Sequence, residues 1–136
     1  MSRTDLFSLS AAALGGFLGA ALGGWDGFLR GLVMFCAMDF LTGLLVSVKD
    51  KTYESSKAFW GITRKCLIFA LVAVGVAVDT AFIGDGSVVR TAIIFFYAST
   101  EGISVLENAG KLGLPVPGKL RDALKQLGKG GGGDVK

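Results

Sequence analysis

The sequence predicts an all-α membrane protein of about four transmembrane helices followed by a short C-terminal amphipathic helix. Three observations carry this. Of 136 residues 51% are hydrophobic, 21 are glycine, and the mean hydropathy is positive, which is not the composition of an ordinary water-soluble domain. Apolar runs of bilayer-spanning length recur at about 6–25, 28–48, 66–83 and 88–106. The cations fall almost entirely between and after these runs, so the net charge of +3 says less than its placement. The sequence divides into a transmembrane region, 1–109, and a basic amphipathic helix with a Gly-rich tail, 110–136.

The span at 28–48 and the segment after it orient the rest. As a helix the span is roughly 30 Å long, the thickness of a hydrocarbon core. The following KDKTYESSKAFWGITRK carries Lys49, Lys51, Lys57, Arg64 and Lys65. Translocating such a loop is unfavourable, so it is expected on the cytoplasmic side of the membrane. Asp26 and Asp85 then lie outside, and both termini inside. Phe59, Trp60 and Ile62 among these cations suit a segment lying in the cytoplasmic interface.

The first span is expected to be retained rather than cleaved as a signal, because about 20 uncharged residues exceed a signal core. It holds Gly15, Gly19 and Gly23 at spacing four, and beside them Gly16, Ala20 and Gly24. Such ridges let another backbone approach closely, within the protomer or from a second copy. They also weaken the helix.

In the second span, helical spacing puts Cys36, Asp39, Thr42, Gly43 and Val46 on one face. A charged carboxylate at mid-span costs about 2.5–3.5 kcal/mol even on the lenient scale, so Asp39 should face protein or water. Two readings stand: a hydrogen bond between helices, or a pore-facing or gating group. The third span sets Gly75 and Asp79 opposite Ala70, Ala73, Ala77 and Ala81. The fourth carries Arg90, Tyr97, Glu101, Ser104 and Asn108 on one stripe. Lipid offers this stripe no hydrogen bonds, so it must meet protein or a water-filled opening.

Pro115 and Pro117 end the fourth helix. Leu120, Ala123, Leu124 and Leu127 then form the apolar face of a basic helix expected on the cytoplasmic membrane surface, ahead of a flexible tail. With no histidine, Ser-His-Asp and Cys-His nucleophiles and His-ligated metals are excluded. Cys36 and Cys66 read as small apolar fillers rather than a disulfide or metal pair. No cofactor is expected. The cation placement fits anionic lipid headgroups and gives no nucleic-acid footprint.

Three separated pieces together resemble one family. Asp39-x-x-x-Gly43 precedes the loop with Ser55-Ser56 and Gly61-x-x-Arg64-Lys65, and the next span ends at Asp79. Tyr97-x-x-x-Glu101-x-x-Ser104 runs on to Asn108. Leu114-Pro115-Val116-Pro117 and a basic helix follow. The order and spacing, over roughly 34–124, resemble the toxin secretion and phage lysis holin family; the first span falls outside the match. The resemblance implies a non-catalytic protein of the bacterial cytoplasmic membrane that associates with itself and opens holes for an endolysin or a toxin. A small proton- or ion-conducting channel or transporter, with Asp39, Asp79 and Glu101 as relay, is the alternative. An intramembrane aspartyl protease using Asp39 and Asp79 is a third class, for which four short spans leave little room.

Overall fold

The computed structural model describes residues 1–84 and 86–132, which form five helices and no strand. In order these are α1 (Arg3–Ala21), α2 (Gly27–Lys49), α3 (Ser55–Val78), α4 (Val88–Lys111) and α5 (Gly118–Gly132). One wide turn of helix, Asp79–Ile83, extends α3. Among the described residues four helices are long and apolar enough to cross a membrane: α1, α2, α3 with its extension, and α4.

Local chemistry sets the boundaries. The Ser2 hydroxyl accepts from the Asp5 amide while the Asp5 carboxylate accepts from the Ser2 amide, a reciprocal cap that starts α1. The helix ends at Ala21. Gly23, at φ +84°, and Gly24 return their amides to Ala20 and Gly19, a left-handed cap that favours glycine. Gly23 is therefore a terminator, not part of a helical ridge as its spacing suggested. Asp26 caps α2 by accepting from the Leu29 amide at 2.9 Å.

The cation-rich loop is shorter than the sequence suggests. Helix α3 begins at Ser55, so only 50–54 connect α2 to α3, and Gly61, Arg64 and Lys65 stand on a helix. The stretch 55–65 has no proline and a single glycine, and it continues the apolar helix backward at little cost. Likewise α4 runs to Lys111, where Gly113 and Pro115 stop it. Helix α5 extends to Gly132, so the tail begins inside it. Asp85 and 133–136 lie outside the described residues.

Helix α4 is the hub, packing against α2, α3 and α5. The core comprises Leu29, Leu32 and Cys36 of α2, Ile68 and Val72 of α3, Ile94 and Ala98 of α4, and Leu22. Gly75 lets α3 approach α4: a Cβ there would lie 3.1 Å from the Arg90 Cα. Of the alanine row on α3 that the sequence sets opposite Gly75, Ala70, Ala77 and Ala81 are exposed, whereas Ala73 packs at the edge of the core. Helix α1 stands almost uncovered, with Gly19 its one buried residue. Its Phe7, Leu14 and Phe17 are exposed on a helix apolar on every side, as a surface in lipid would be.

Candidate functional site

The site is a set of polar side chains at the middle of α2, α3 and α4. Asp39 lies twelve residues into α2, and Glu101 thirteen residues into α4, about 18–20 Å from the start of each helix. Between them comes Lys65 of α3, whose Nζ donates to Asp39 Oδ2 at 2.8 Å and to Glu101 Oε2 at 2.7 Å. Asn108, two turns below Glu101, donates to Asp39 Oδ1 at 3.1 Å and to Thr42 Oγ1 at 2.9 Å. The Thr42 hydroxyl in turn donates to the Met38 carbonyl. One cation and two carboxylates leave the triad a formal charge of −1. Its three side chains are only 17%, 15% and 9% exposed, so the lysine is what keeps the two carboxylates together.

Asp39, Lys65, Glu101 and Asn108 form the floor of a cleft of about 700 Å3, and Thr42 stands behind them. Helices α2 and α3 both contribute to it, with Phe40, Leu44, Leu67 and Leu71 as apolar lining and the exposed Lys57 and Arg64 at its edge. Tyr97 and Ser104 line the cleft with Glu101 and Asn108, so four members of the predicted α4 stripe face one opening inside the protomer. Gly43 of α2 faces the stripe: a Cβ there would lie 3.7 Å from Asn108 Nδ2. Chemically the cleft offers a water-compatible surface with a hydrogen-bonded ion triad.

Two other sequence candidates lie elsewhere. Asp79 is buried at the far end of the bundle, where its carboxylate accepts from the Val89 and Arg90 amides, both at 2.9 Å. It thus caps the α4 N-terminus from a neighbouring element and favours the aligned peptide dipoles. Arg90, the remaining member of the stripe, is 3% exposed. Its guanidinium donates to the Leu22 carbonyl at 2.6 Å, the Gly24 carbonyl at 3.0 Å and Asp26 at 2.8 Å. It ties the end of α1 and the start of α2 to α4. The hydrogen bond from Arg90 holds the Asp26 carboxyl below its usual range. At the opposite end Lys49 donates to the Lys111 carbonyl at 2.7 Å, fastening α2 to α4.

The glycine ridge of α1 is filled from within. The Trp25 indole folds back along the helix, donating to the Gly15 carbonyl at 3.0 Å, and a Cβ on Gly19 would lie 2.5 Å from the ring. Gly15 and Gly19 thus receive an indole where the sequence suggested a second helix. Of the parallel row, Gly16 and Ala20 are exposed.

Lys65 is the residue that sequence reasoning missed, because it was grouped with the loop cations. Its helical phase was the available signal. Lys65 precedes Ile68, Val72, Gly75 and Asp79 by three, seven, ten and fourteen residues, which places it on the buried face. Among the described residues no group of three or more Cys, Asp and Glu side chains is placed to hold a metal ion. Cys36 is buried and Cys66 exposed, both as free thiols.

Four spanning helices around a mid-bundle polar cluster define a small helical membrane protein. The chain belongs to the bacteriophage holin family, which it matches over residues 16–129. It is 33% identical over 97 residues to a probable holin of Bacillus phage phi105, covering 71% of this chain and 71% of that one. It is 43% identical over 105 residues to an uncharacterised 14.9 kDa protein from the nagH 3′ region of Clostridium perfringens, covering 77% of this chain and 80% of that one. It is also 36% identical over 110 residues to the Listeria monocytogenes protein Lmo0128, covering 81% and 78%. No solved structure matches it.

Proposed function

We propose that this protein is a holin in action as well as in family: it accumulates in the bacterial cytoplasmic membrane with both termini in the cytoplasm, associates with itself, and opens holes through which an endolysin or a toxin passes. The observation that carries the reading is the cleft, whose floor joins Tyr97, Glu101, Ser104 and Asn108 to Asp39 and Lys65 in one water-compatible surface at mid-membrane depth. A single protomer encloses no passage for a folded enzyme, so many copies must turn such surfaces toward a common opening. Nothing in the reading calls for catalysis. Lys57, Arg64 and the cations of α5 meet anionic headgroups on the cytoplasmic side, consistent with the cation asymmetry.

The test is induction in a bacterium that also makes an endolysin lacking an export signal. Abrupt lysis requiring both proteins is expected. The Asp39–Lys65–Glu101 triad favours a second reading, a narrow proton or ion path, for which buried ionisable groups are the usual hardware. Gradual dissipation of the proton gradient, with the endolysin trapped inside, would establish that reading and remove the first.

A further inference from the structure

Helices α2 and α3 have little direct contact with each other, and each packs mainly on α4. Leu67 and Leu71 line the cleft between them and are also exposed on the surface of α3. The cleft therefore opens sideways, and in a membrane that side is lipid. Its lining is ordered by depth. With Ile83 at one boundary of a hydrocarbon core about 30 Å thick, α3 carries Leu71 about 18 Å in, Leu67 about 24 Å in and Arg64 about 28 Å in, close to the opposite boundary. Lys57, two turns beyond Arg64, stands at the outer edge of the headgroups. On the same count from Gly27, Ser47 of α2 puts a hydroxyl in the lining about 30 Å in. Apolar side chains, then a hydroxyl, then cations is the order of acyl chain, ester-glycerol and phosphate in one leaflet.

Charge points the same way. Arg64 takes part in no ion pair among the described residues, and the Lys57 ammonium meets only Glu54, at 3.8 Å between exposed side chains. The edge of the cleft thus carries two cations against one carboxylate. The floor behind asks nothing of an occupant. Lys65, Asp39, Glu101 and Asn108 hydrogen-bond among themselves, and among the described residues no buried side-chain nitrogen or oxygen lacks a partner.

We infer that the cleft seats one anionic phospholipid of the leaflet at the α2–α3 turn, its phosphate between Lys57 and Arg64 and one acyl chain along Phe40, Leu67 and Leu71. A guanidinium takes phosphate oxygens in pairs, and the apolar wall takes the chain. A free phosphate offers that wall nothing, and a zwitterionic lipid brings an ammonium that the two cations repel. From Arg64 to Leu71 the wall runs about 10 Å, within the depth of about 15 Å that the chains of one leaflet fill. Seating the lipid needs only that the chain is embedded, not that it opens holes.

The test uses the full chain in nanodiscs of phosphatidylcholine with a minority of phosphatidylglycerol bearing a diazirine midway along one acyl chain. After irradiation, peptide mapping should find label concentrated around Phe40, Leu67 and Leu71. Label on α1, whose Phe7, Leu14 and Phe17 are exposed, reports ordinary lipid contact and should be lower. Lys57→Gln with Arg64→Gln should cut the cleft label several-fold, whereas Lys119→Gln with Lys125→Gln, which removes the same charge from α5, should not. Gly61→Leu tests the cleft without changing charge. Gly61 is part of the lining, and a Cβ there would lie 3.9 Å from Phe40 Cδ2. A helix interior favours leucine over glycine, so the new side chain fills the space without weakening α3 and should displace the lipid. Cleft label no higher than that on α1, equal label from a phosphatidylcholine probe, or equal loss from the α5 pair overturns the proposal. So does cleft label that Gly61→Leu leaves unchanged, because the lipid would then lie on the outside of α3 alone.

Discussion

Replacing Lys65 by Met keeps most of the side chain's length and apolar stem and deletes the charge that Asp39 and Glu101 share. The two carboxylates, 2.8 and 2.7 Å from the lost Nζ, are then left facing each other in a site 9–15% exposed. Removing one member of a buried ion pair costs about 3–5 kcal/mol. Neutralising one carboxyl sets a ceiling on that cost. Holding a carboxyl of ordinary pKa protonated at pH 7 costs about 4 kcal/mol, nearly three units at about 1.36 kcal/mol each. Asn108 still serves Asp39, and water can enter from the cleft, so we expect a loss of about 2–4 kcal/mol. Adding Glu101→Gln removes the repulsion, and the double variant should recover at least half of the loss. Thermal unfolding in detergent, followed by circular dichroism, with membrane accumulation read by immunoblot, measures both. A Lys65→Met protein as stable as the parent, or a double variant no better than the single one, would refute the triad as the clamp of the three helices.

Three further outcomes follow from the same geometry. Gly75→Val should destabilise the protein by about 1–3 kcal/mol in the same unfolding assay, because its Cβ would meet the Arg90 backbone at 3.1 Å. The Asp26 carboxyl is held below its ordinary value of 3.8, so its tie to Arg90 contributes fully above that pH and is lost as pH falls through the depressed folded value; the stability gap to Asp26→Asn should be flat near neutrality and close below about pH 3.8. Gly19→Leu should evict the Trp25 indole from α1, seen as a shift in tryptophan emission compared against a Trp60→Phe background, and an unchanged spectrum would contradict the packing.

Helix number and type were legible because lipid demands long apolar runs, and those runs are explicit in the sequence. The Asp39 face of α2 and the α4 stripe were legible as well, since polar residues at helical spacing in an apolar segment must face something other than lipid. Lys65 was not, because a cation at the edge of an apolar run reads equally as loop or buried partner until the helix start is known. The role of Asp79 was hidden because a capping carboxylate from another element leaves no local spacing. What packs on Gly19 was not legible, because a glycine ridge accepts an indole as readily as a helix, and only tertiary structure decides which arrives. The return of α5 onto α4 was hidden for the same reason: its apolar face fits a membrane surface or a helix equally well.

The central claim is that the floor of the cleft becomes the wall of an aqueous opening. The most direct measurement is the reactivity of Ser104→Cys, in the Cys36→Ala, Cys66→Ala background, toward a bulky membrane-impermeant maleimide added outside intact cells. A lipid-facing control cysteine replaces Ala70, which is exposed on α3. The account predicts that position 104 stays unlabelled during accumulation, becomes labelled at the onset of lysis, and that position 70 does not. Lysis that proceeds while position 104 stays protected would contradict it.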